Sequence, residues 1–218
     1  MAKYLTLDNV VHPETFKSLQ GYLMSPLPEW NLDCIVLPER TDPDWKPNDN
    51  NLQGSFRIYD DVFQHIYYPD VYGCDGVNFK CRLDLITQCL RQVLTVLNPL
   101  ALIRIKANAN FRTEKIIEGP YHVDRSDDDA GSNDNSCDDM FNAVFYINTC
   151  DGYTRFKDEN NELGEKIMSQ ENRLAIFNNK YYHAGTSTTD QFARYVININ
   201  YVPKKNCPLH KTLDGYRN

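Results

Sequence analysis

The sequence predicts a mainly β fold of the sandwich or jelly-roll class, with flanking helices packed on one sheet. Three observations carry this. Strand-like segments crowd the chain after residue 100, helical patterns are confined to the part before it, and 218 residues is a length that all-β sandwiches and barrels reach as one domain. No internal repeat and no long Pro/Gly/Ser linker divides the sequence. One domain over 1–218 is therefore expected, with a helical and mixed support region at 1–100, a β core at 101–202 and a tail at 203–218.

The elements follow in order. "HPETFKSLQGYLM" (12–24) reads as a helix, with Pro13 at the first position, where a missing N–H leaves no bond unmade, and Glu14 in the first turn. "NLDCIVLPE" (31–39) reads as a strand. A second helix over 79–98 puts Cys81, Leu85, Ile86, Cys89, Leu90, Val93 and Leu97 on one stripe, and Asn98-Pro99 stops it. Then come "ALIRIKANANF", "MFNAVFYIN", "YTRFKD", "NRLAIFN" and "QFARYVININYV", all β-branched or aromatic and often alternating. Turn-like runs such as "NTCDG" and "DENNELG" separate them, and the tail "PKKNCPLHKTLDGYRN" reads as a solvated terminus.

Composition narrows the function. With 41% apolar and 24% charged residues the chain is of ordinary globular make-up, and a net charge of −7 supplies no positive field to gather nucleic acid or anionic membrane. No window approaches the roughly 18 apolar residues of a membrane span, and the first residues lack a signal-peptide core, so a cytoplasmic setting is expected. Seven cysteines with no C-x-x-C pair suggest reduced thiols rather than a disulfide framework or a thiolate zinc site.

The chemistry centres on "YHVDRSDDDAGSNDN" (121–135). With five histidines and 21 aspartates, about half an H-x-D is expected by chance, so the tripeptide needs support from the rest of the chain. In an extended segment His122 and Asp124 project from one face, as two ligands of one ion would. Two histidines and a carboxylate on one face of an octahedron leave three positions open, the arrangement of non-haem Fe(II) oxygenases. Of the other histidines, His183 in "NNKYYHAGT", just after a strand, is the natural third ligand. An anionic co-substrate would also need a fixed cation, and Arg194 at the start of "ARYVININYV" meets that need. The acidic run from Asp127 to Asp139 invites calcium, through Asp127, Asp129, Asn133 and Asp134. It lacks the glycine and terminal glutamate of the common calcium loop and reads instead as a solvated loop at the pocket rim.

The ordered set Y-H-V-D (121–124), F-Y-I-N (145–148), D-G-Y-T-R-F (151–156), R-L-A-I-F (173–177), H-A-G (183–185) and A-R-Y (193–195) resembles the prolyl 4-hydroxylase-like branch of the Fe(II)/2-oxoglutarate dioxygenases. The match covers roughly residues 101–202. The resemblance implies a double-stranded β-helix, a cupin-like jelly roll, in which His122, Asp124 and His183 hold Fe(II) and Arg194 grips the distal carboxylate of 2-oxoglutarate. Tyr146 matches the family's carboxylate-binding tyrosine. Thr154 matches the threonine of its G-G-x-T-x-F motif, although Asp151 stands for the first glycine. Val196 stands where some relatives carry a second hydroxyl, which favours Tyr146 as partner. Asn108 and Asn110 share one face in "KANANF", where a tyrosine is common, and are candidates for the co-substrate's iron-side carboxylate.

The resemblance implies an O2-dependent hydroxylase of a C–H bond, releasing succinate and CO2, with ascorbate as a candidate reductant. Its substrate would be a peptidyl proline. The alternatives are a free amino acid, other small metabolite or nucleobase, or a non-catalytic jelly-roll binding domain. Tyr121, Tyr153, Tyr181, Tyr182 and Tyr195, all close to the motifs, are expected to wall the pocket against water.

Overall fold

The computed structural model describes residues 2–28, 30–34, 52–60, 83–124, 140–157, 160 and 162–213. The chain runs β1 (Tyr4–Asp8), α1 (Pro13–Leu23), β2 (Asn31–Cys34), β3 (Leu52–Asp60), α2 (Leu83–Leu97), β4 (Pro99–Phe111), β5 (Phe141–Tyr146), β6 (Tyr153–Lys157), β7 (Leu163–Met168), β8 (Arg173–Asn178), β9 (His183–Gly185) and β10 (Ala193–Pro203). Seven strands form one antiparallel sheet in the order β1-β8-β5-β10-β4-β3-β2, and three form a second in the order β7-β6-β9. Two sheets with the helices against one of them is the jelly-roll architecture expected, and the Asp-rich run 127–139 lies outside the described residues.

Alternation in the central strands builds both the core and the pocket. On β4 and β10 the odd-numbered Ile105, Ala107, Ala109, Tyr195, Ile197, Ile199 and Tyr201 are buried in one large cluster with Phe16, Leu19 and Leu23 of α1 and Ile86, Val93 and Leu97 of α2. Each such leucine, isoleucine or phenylalanine contributes about 1.5–3 kcal/mol. The even-numbered residues point the other way, between the sheets. There Val144, Tyr146, Phe156, Ile167, Ala175, Phe177 and Val196 form a second, smaller cluster, against which Tyr4 of β1 packs. Tyr4 stacks on Phe156 with ring centroids 5.5 Å apart.

Both helices end where local chemistry stops them. Pro13 opens α1, and α2 ends at Asn98, which adopts φ 46° and donates its N–H to Leu94 O at 2.8 Å before Pro99 begins the long strand β4. Four strands escape the sequence pattern, among them β9, which is only three residues long. On β7 only Ile167 is fully buried, so no apolar face marks it. β1 and β3 lie in the half read as helical support, and β1 pairs along its whole length with β8, 165 residues later at Asp8–Arg173.

The tail differs from the solvated terminus expected. Lys204, Lys205 and Lys211 are exposed, but Cys207, His210 and Leu213 are buried. The Tyr201 hydroxyl and His210 Nε2 are 2.6 Å apart, and Phe141 packs edge-on to the same imidazole. Leu213 pairs with Ala2, so this segment closes the sheet's flank beside β1. A count of exposed lysines hides this, because three buried anchors suffice to dock a short segment.

Burial lowers the His210 pKa to about 4. Its folded value thus lies below the ordinary 6.5, and the unfolded chain takes up the proton first as pH falls. The neutral ring's stabilisation is complete above pH 6.5 and declines towards pH 4, by about 1–2 kcal/mol. Thermal melting at pH 7.5 and 5.0 should show a smaller acid-induced loss in His210→Gln than in wild type. Equal losses would place the acid sensitivity elsewhere.

Candidate active site

His122 and His183 meet across an isolated antiparallel bridge, each backbone N–H donating to the other's carbonyl at 3.0 Å, and their ring centroids are 4.8 Å apart. Each Nδ1 faces a carbonyl two residues earlier, Pro120 O at 2.9 Å for His122 and Tyr181 O at 3.1 Å for His183. A carbonyl can only accept, so Nδ1 carries the hydrogen in both rings and each Nε2 presents a lone pair. Asp124 faces them both, with Oδ1 3.7 Å from His122 Nε2 and Oδ2 3.8 Å from His183 Nε2. One ligand atom from each of the three lies within 4.8 Å of the others, the spacing of donors around one small cation.

The donor set fits a divalent metal. Two neutral imidazoles and an ionised carboxylate suit Fe(II) and leave coordination positions open. Burial lowers the His183 pKa to about 4, so this ring is neutral and able to ligate at ordinary pH. Burial pushes Asp124 upward, but the neighbouring His122 and His183 rings and the Arg104 guanidinium outweigh it. They hold the carboxyl well below its usual range. Phe177 packs edge-on to the His183 ring at 4.8 Å, which fixes that ring and keeps water from one side.

Arg194 lies deeper, 2% exposed, on the pocket face of β10. Its Nε donates to Ser169 Oγ at 2.7 Å and its Nη2 to Thr154 Oγ1 at 2.8 Å. Tyr146 OH donates to the same Thr154 oxygen at 2.8 Å. Having accepted twice, the Thr154 hydroxyl is left to donate its own hydrogen. Burial raises the Tyr146 pKa, so its phenol stays protonated. A guanidinium and three hydroxyls, those of Ser169, Thr154 and Tyr146, with no acid among them make a cradle that could hold a carboxylate.

Two glycines make room for this cradle. A Cβ on Gly152 would lie 2.7 Å from Arg194 Cδ and 2.7 Å from Ser187 O, and one on Gly185 would lie 3.2 Å from Arg194 Nη1. Asp151, where the family motif has glycine, accepts hydrogen bonds from Thr188 Oγ1, Thr189 N and Thr189 Oγ1, and so ties the β9–β10 connection to the start of β6.

Asn108 and Asn110 share the pocket face of β4, both 5% exposed. Asn110 stands opposite Arg194 and Asn108 opposite Val196 in the β4–β10 register. The Asn108 Oδ1 is buried without a hydrogen-bond partner among the described residues.

Of the five tyrosines expected as pocket walls, only Tyr181 packs there, and the other four are elsewhere. Tyr153 and Tyr195 neighbour Thr154 and Arg194 in strand, so they point to the opposite faces. Tyr195 lies in the helix-side core. Tyr153 and Tyr121, both buried, donate to the Glu118 carboxylate at 2.7 and 2.8 Å. Tyr182 is 47% exposed. The apolar walls are Val144, Tyr146, Phe156, Phe177 and Val196, with Tyr181 packed at the cluster's margin. Sequence reasoning also missed Ser169, Arg104, Asn179 and Asn200, which bond Arg194 or Asp124 directly, and Asn142, which bonds Asn200 and Asn179.

No family model and no curated protein matches the sequence. Solved structures do. An oxidoreductase of the 2OG-Fe(II) oxygenase family from Burkholderia pseudomallei aligns with a TM-score of 0.55 at 9% identity, over 91% of this chain and 85% of that one. A prolyl hydroxylase from Trichoplax adhaerens, in complex with a hypoxia inducible factor oxygen degradation domain peptide fragment, aligns with a TM-score of 0.53 at 14% identity, over 95% of this chain and 86% of that one. The chain has the fold of the 2OG-Fe(II) oxygenases. AviO1 from Streptomyces viridochromogenes Tue57 aligns with a TM-score of 0.52 at 11% identity, over 94% and 92% of the two chains. The double-stranded β-helix expected is thus the fold observed. Among the described residues no helix is long and apolar enough to cross a membrane.

Proposed function

We propose that this protein is an Fe(II)- and 2-oxoglutarate-dependent oxygenase that hydroxylates a substrate C–H bond, with its catalytic core in residues 101–202. The observation that carries the reading is the pairing of two sites in one pocket. His122, Asp124 and His183 converge in one group, and the buried cation Arg194 lies over the ring of Tyr146, in the same cluster as Phe156 and Phe177, which pack against His183. A pocket that needs both is one that takes a ligand with a metal-binding head and an anionic tail, which describes 2-oxoglutarate.

His122, Asp124 and His183 would hold the iron, which when bound supplies dioxygen activation coupled to decarboxylation of the co-substrate to succinate. Arg194 grips the distal carboxylate, with Thr154 donating its hydroxyl and Tyr146 orienting it. The Asn108 and Asn110 side-chain amides line the path between and donate to the co-substrate's iron-side carboxylate. Phe156, Phe177 and Val196 exclude water, so that oxidation is directed to the substrate. The substrate is a peptide with a proline to hydroxylate. This finer reading rests on the ordered sequence motifs and on the fold shared with the Trichoplax prolyl hydroxylase.

The protein incubated with Fe(II), 2-oxoglutarate, ascorbate and air should release succinate above a His183→Ala control. Proline-containing peptides should gain 16 mass units. Succinate without a modified peptide, but with a modified amino acid, metabolite or nucleobase from the same panel, would keep the oxygenase and overturn the prolyl substrate. No succinate across the panel would overturn the catalysis and favour a binding domain.

A further inference from the structure

Arg104 is a charged side chain on the pocket face of a central strand. It lies in one cross-strand row with Asn200 of β10 and Asn142 of β5. Its Nη2 donates to Asp124 Oδ1 at 3.0 Å and its Nε to Asn200 Oδ1 at 2.9 Å. Asn200 Nδ2 in turn donates to Asp124 Oδ2 at 2.9 Å and to Asn142 Oδ1 at 2.8 Å. Asn142 Nδ2 and the Asp124 backbone N–H both donate to Asn179 Oδ1, each at 3.2 Å. Each carboxylate oxygen of Asp124 therefore accepts one protein hydrogen bond from the sheet and keeps a lone pair towards the imidazoles.

The two donors are not equivalent. Asn200 offers a neutral N–H, which fixes position alone. Arg104 offers a full positive charge to Asp124, whose side chain is only 7% exposed, and the Arg104 side chain is itself 28% exposed. In the metal-free protein that charge compensates a buried anion which would otherwise stand alone. Once a divalent cation sits on the far side of the same carboxylate, the guanidinium repels it through a medium of low dielectric. One side chain thus favours the ligand's pose and opposes the ligand's metal.

We propose that Arg104 is the positioning residue of the metal site, holding Asp124 in its ligating pose before metal arrives and lowering the site's affinity for divalent cations. The inference rests on the metal reading of His122, Asp124 and His183. Its two halves separate by charge: a variant that removes the cation should bind metal more tightly, and one that retains it should not.

Free Mn(II) is followed by electron paramagnetic resonance as full-length protein is titrated, and melting of the metal-free forms is recorded in parallel. Wild type sets the reference. Arg104→Gln keeps an N–H donor without the charge and is expected to bind Mn(II) about tenfold tighter, while its metal-free form melts at a lower temperature. Arg104→Met, which also loses the hydrogen bond that poses Asp124, should tighten less than Arg104→Gln and show a larger drop in melting temperature. Arg104→Lys should stay within about threefold of wild type. Unchanged or weaker Mn(II) binding in the folded Gln and Met variants, or tighter binding in the Lys variant, overturns the proposal. Should the Met variant fail to fold, the Gln and Lys pair still decides. A wild type that takes up no Mn(II) overturns the metal reading itself and this inference with it, whereas variant ratios near one with a metal-binding wild type overturn this inference alone.

Discussion

Arg194→Ala is expected to raise the 2-oxoglutarate concentration needed for half-saturation by at least tenfold. Arg194 is buried, held by Ser169 and Thr154, and so presents its fork in a fixed pose. Truncating one partner of a buried, hydrogen-bonded charge pair weakens binding by roughly 2 to 5 kcal/mol, because the carboxylate is left with no counter-charge in a dry pocket. Arg194→Lys should fall between, since one ammonium on a flexible stem cannot hold Ser169, Thr154 and a carboxylate together. Titration of 2-oxoglutarate into the Mn(II)-loaded variants measures this directly, and an unchanged affinity would mean that another cation takes the carboxylate.

What the sequence revealed of this site, and what it hid, divides along a physical line. His122, Asp124, His183 and Arg194 were legible because their chemistry is rare and their order along the chain is informative. Strand alternation was legible too, and it carries more than was drawn from it. If Thr154 and Arg194 face the pocket, then Tyr153 and Tyr195 cannot, because successive residues of a strand point to opposite faces. Nearness in sequence suggested the wrong aromatics; parity would have pointed to Phe156 and Val196.

Ser169, Asn142, Asn179 and Asn200 were illegible for a different reason. Each acts only on a residue that the fold brings beside it, as Ser169 meets Arg194 from 25 positions away. An asparagine in a strand carries no signal of its own, and six of them lie in β4, β5, β8 and β10 from Asn108 to Asn200. Register decides which one touches a ligand. The tail was hidden similarly, since its three buried anchors are spread among exposed lysines.

Asp124→Ala should abolish divalent-metal binding and also destabilise the metal-free protein. The first effect follows from charge: the imidazoles alone offer two neutral donors, and without the carboxylate nothing offsets the cation's lost hydration. At least a hundredfold loss of Mn(II) affinity is expected. The second follows from what Asp124 leaves behind. Arg104 would face the pocket without its anion, and Asn200 Nδ2 would lose one acceptor, together amounting to about 1–3 kcal/mol given the partial exposure of the Arg104 side chain. Asp124→Asn tests whether charge or shape governs. It fills the same space but places an amide N–H, or a weaker carbonyl donor, towards the metal, so it should lose most of the affinity while melting closer to wild type than the alanine variant. Metal titration with parallel thermal melts reads both quantities. If Asp124→Asn retained wild-type Mn(II) affinity, the carboxylate would not be a ligand, and the two histidines would have to be explained as a packed structural pair.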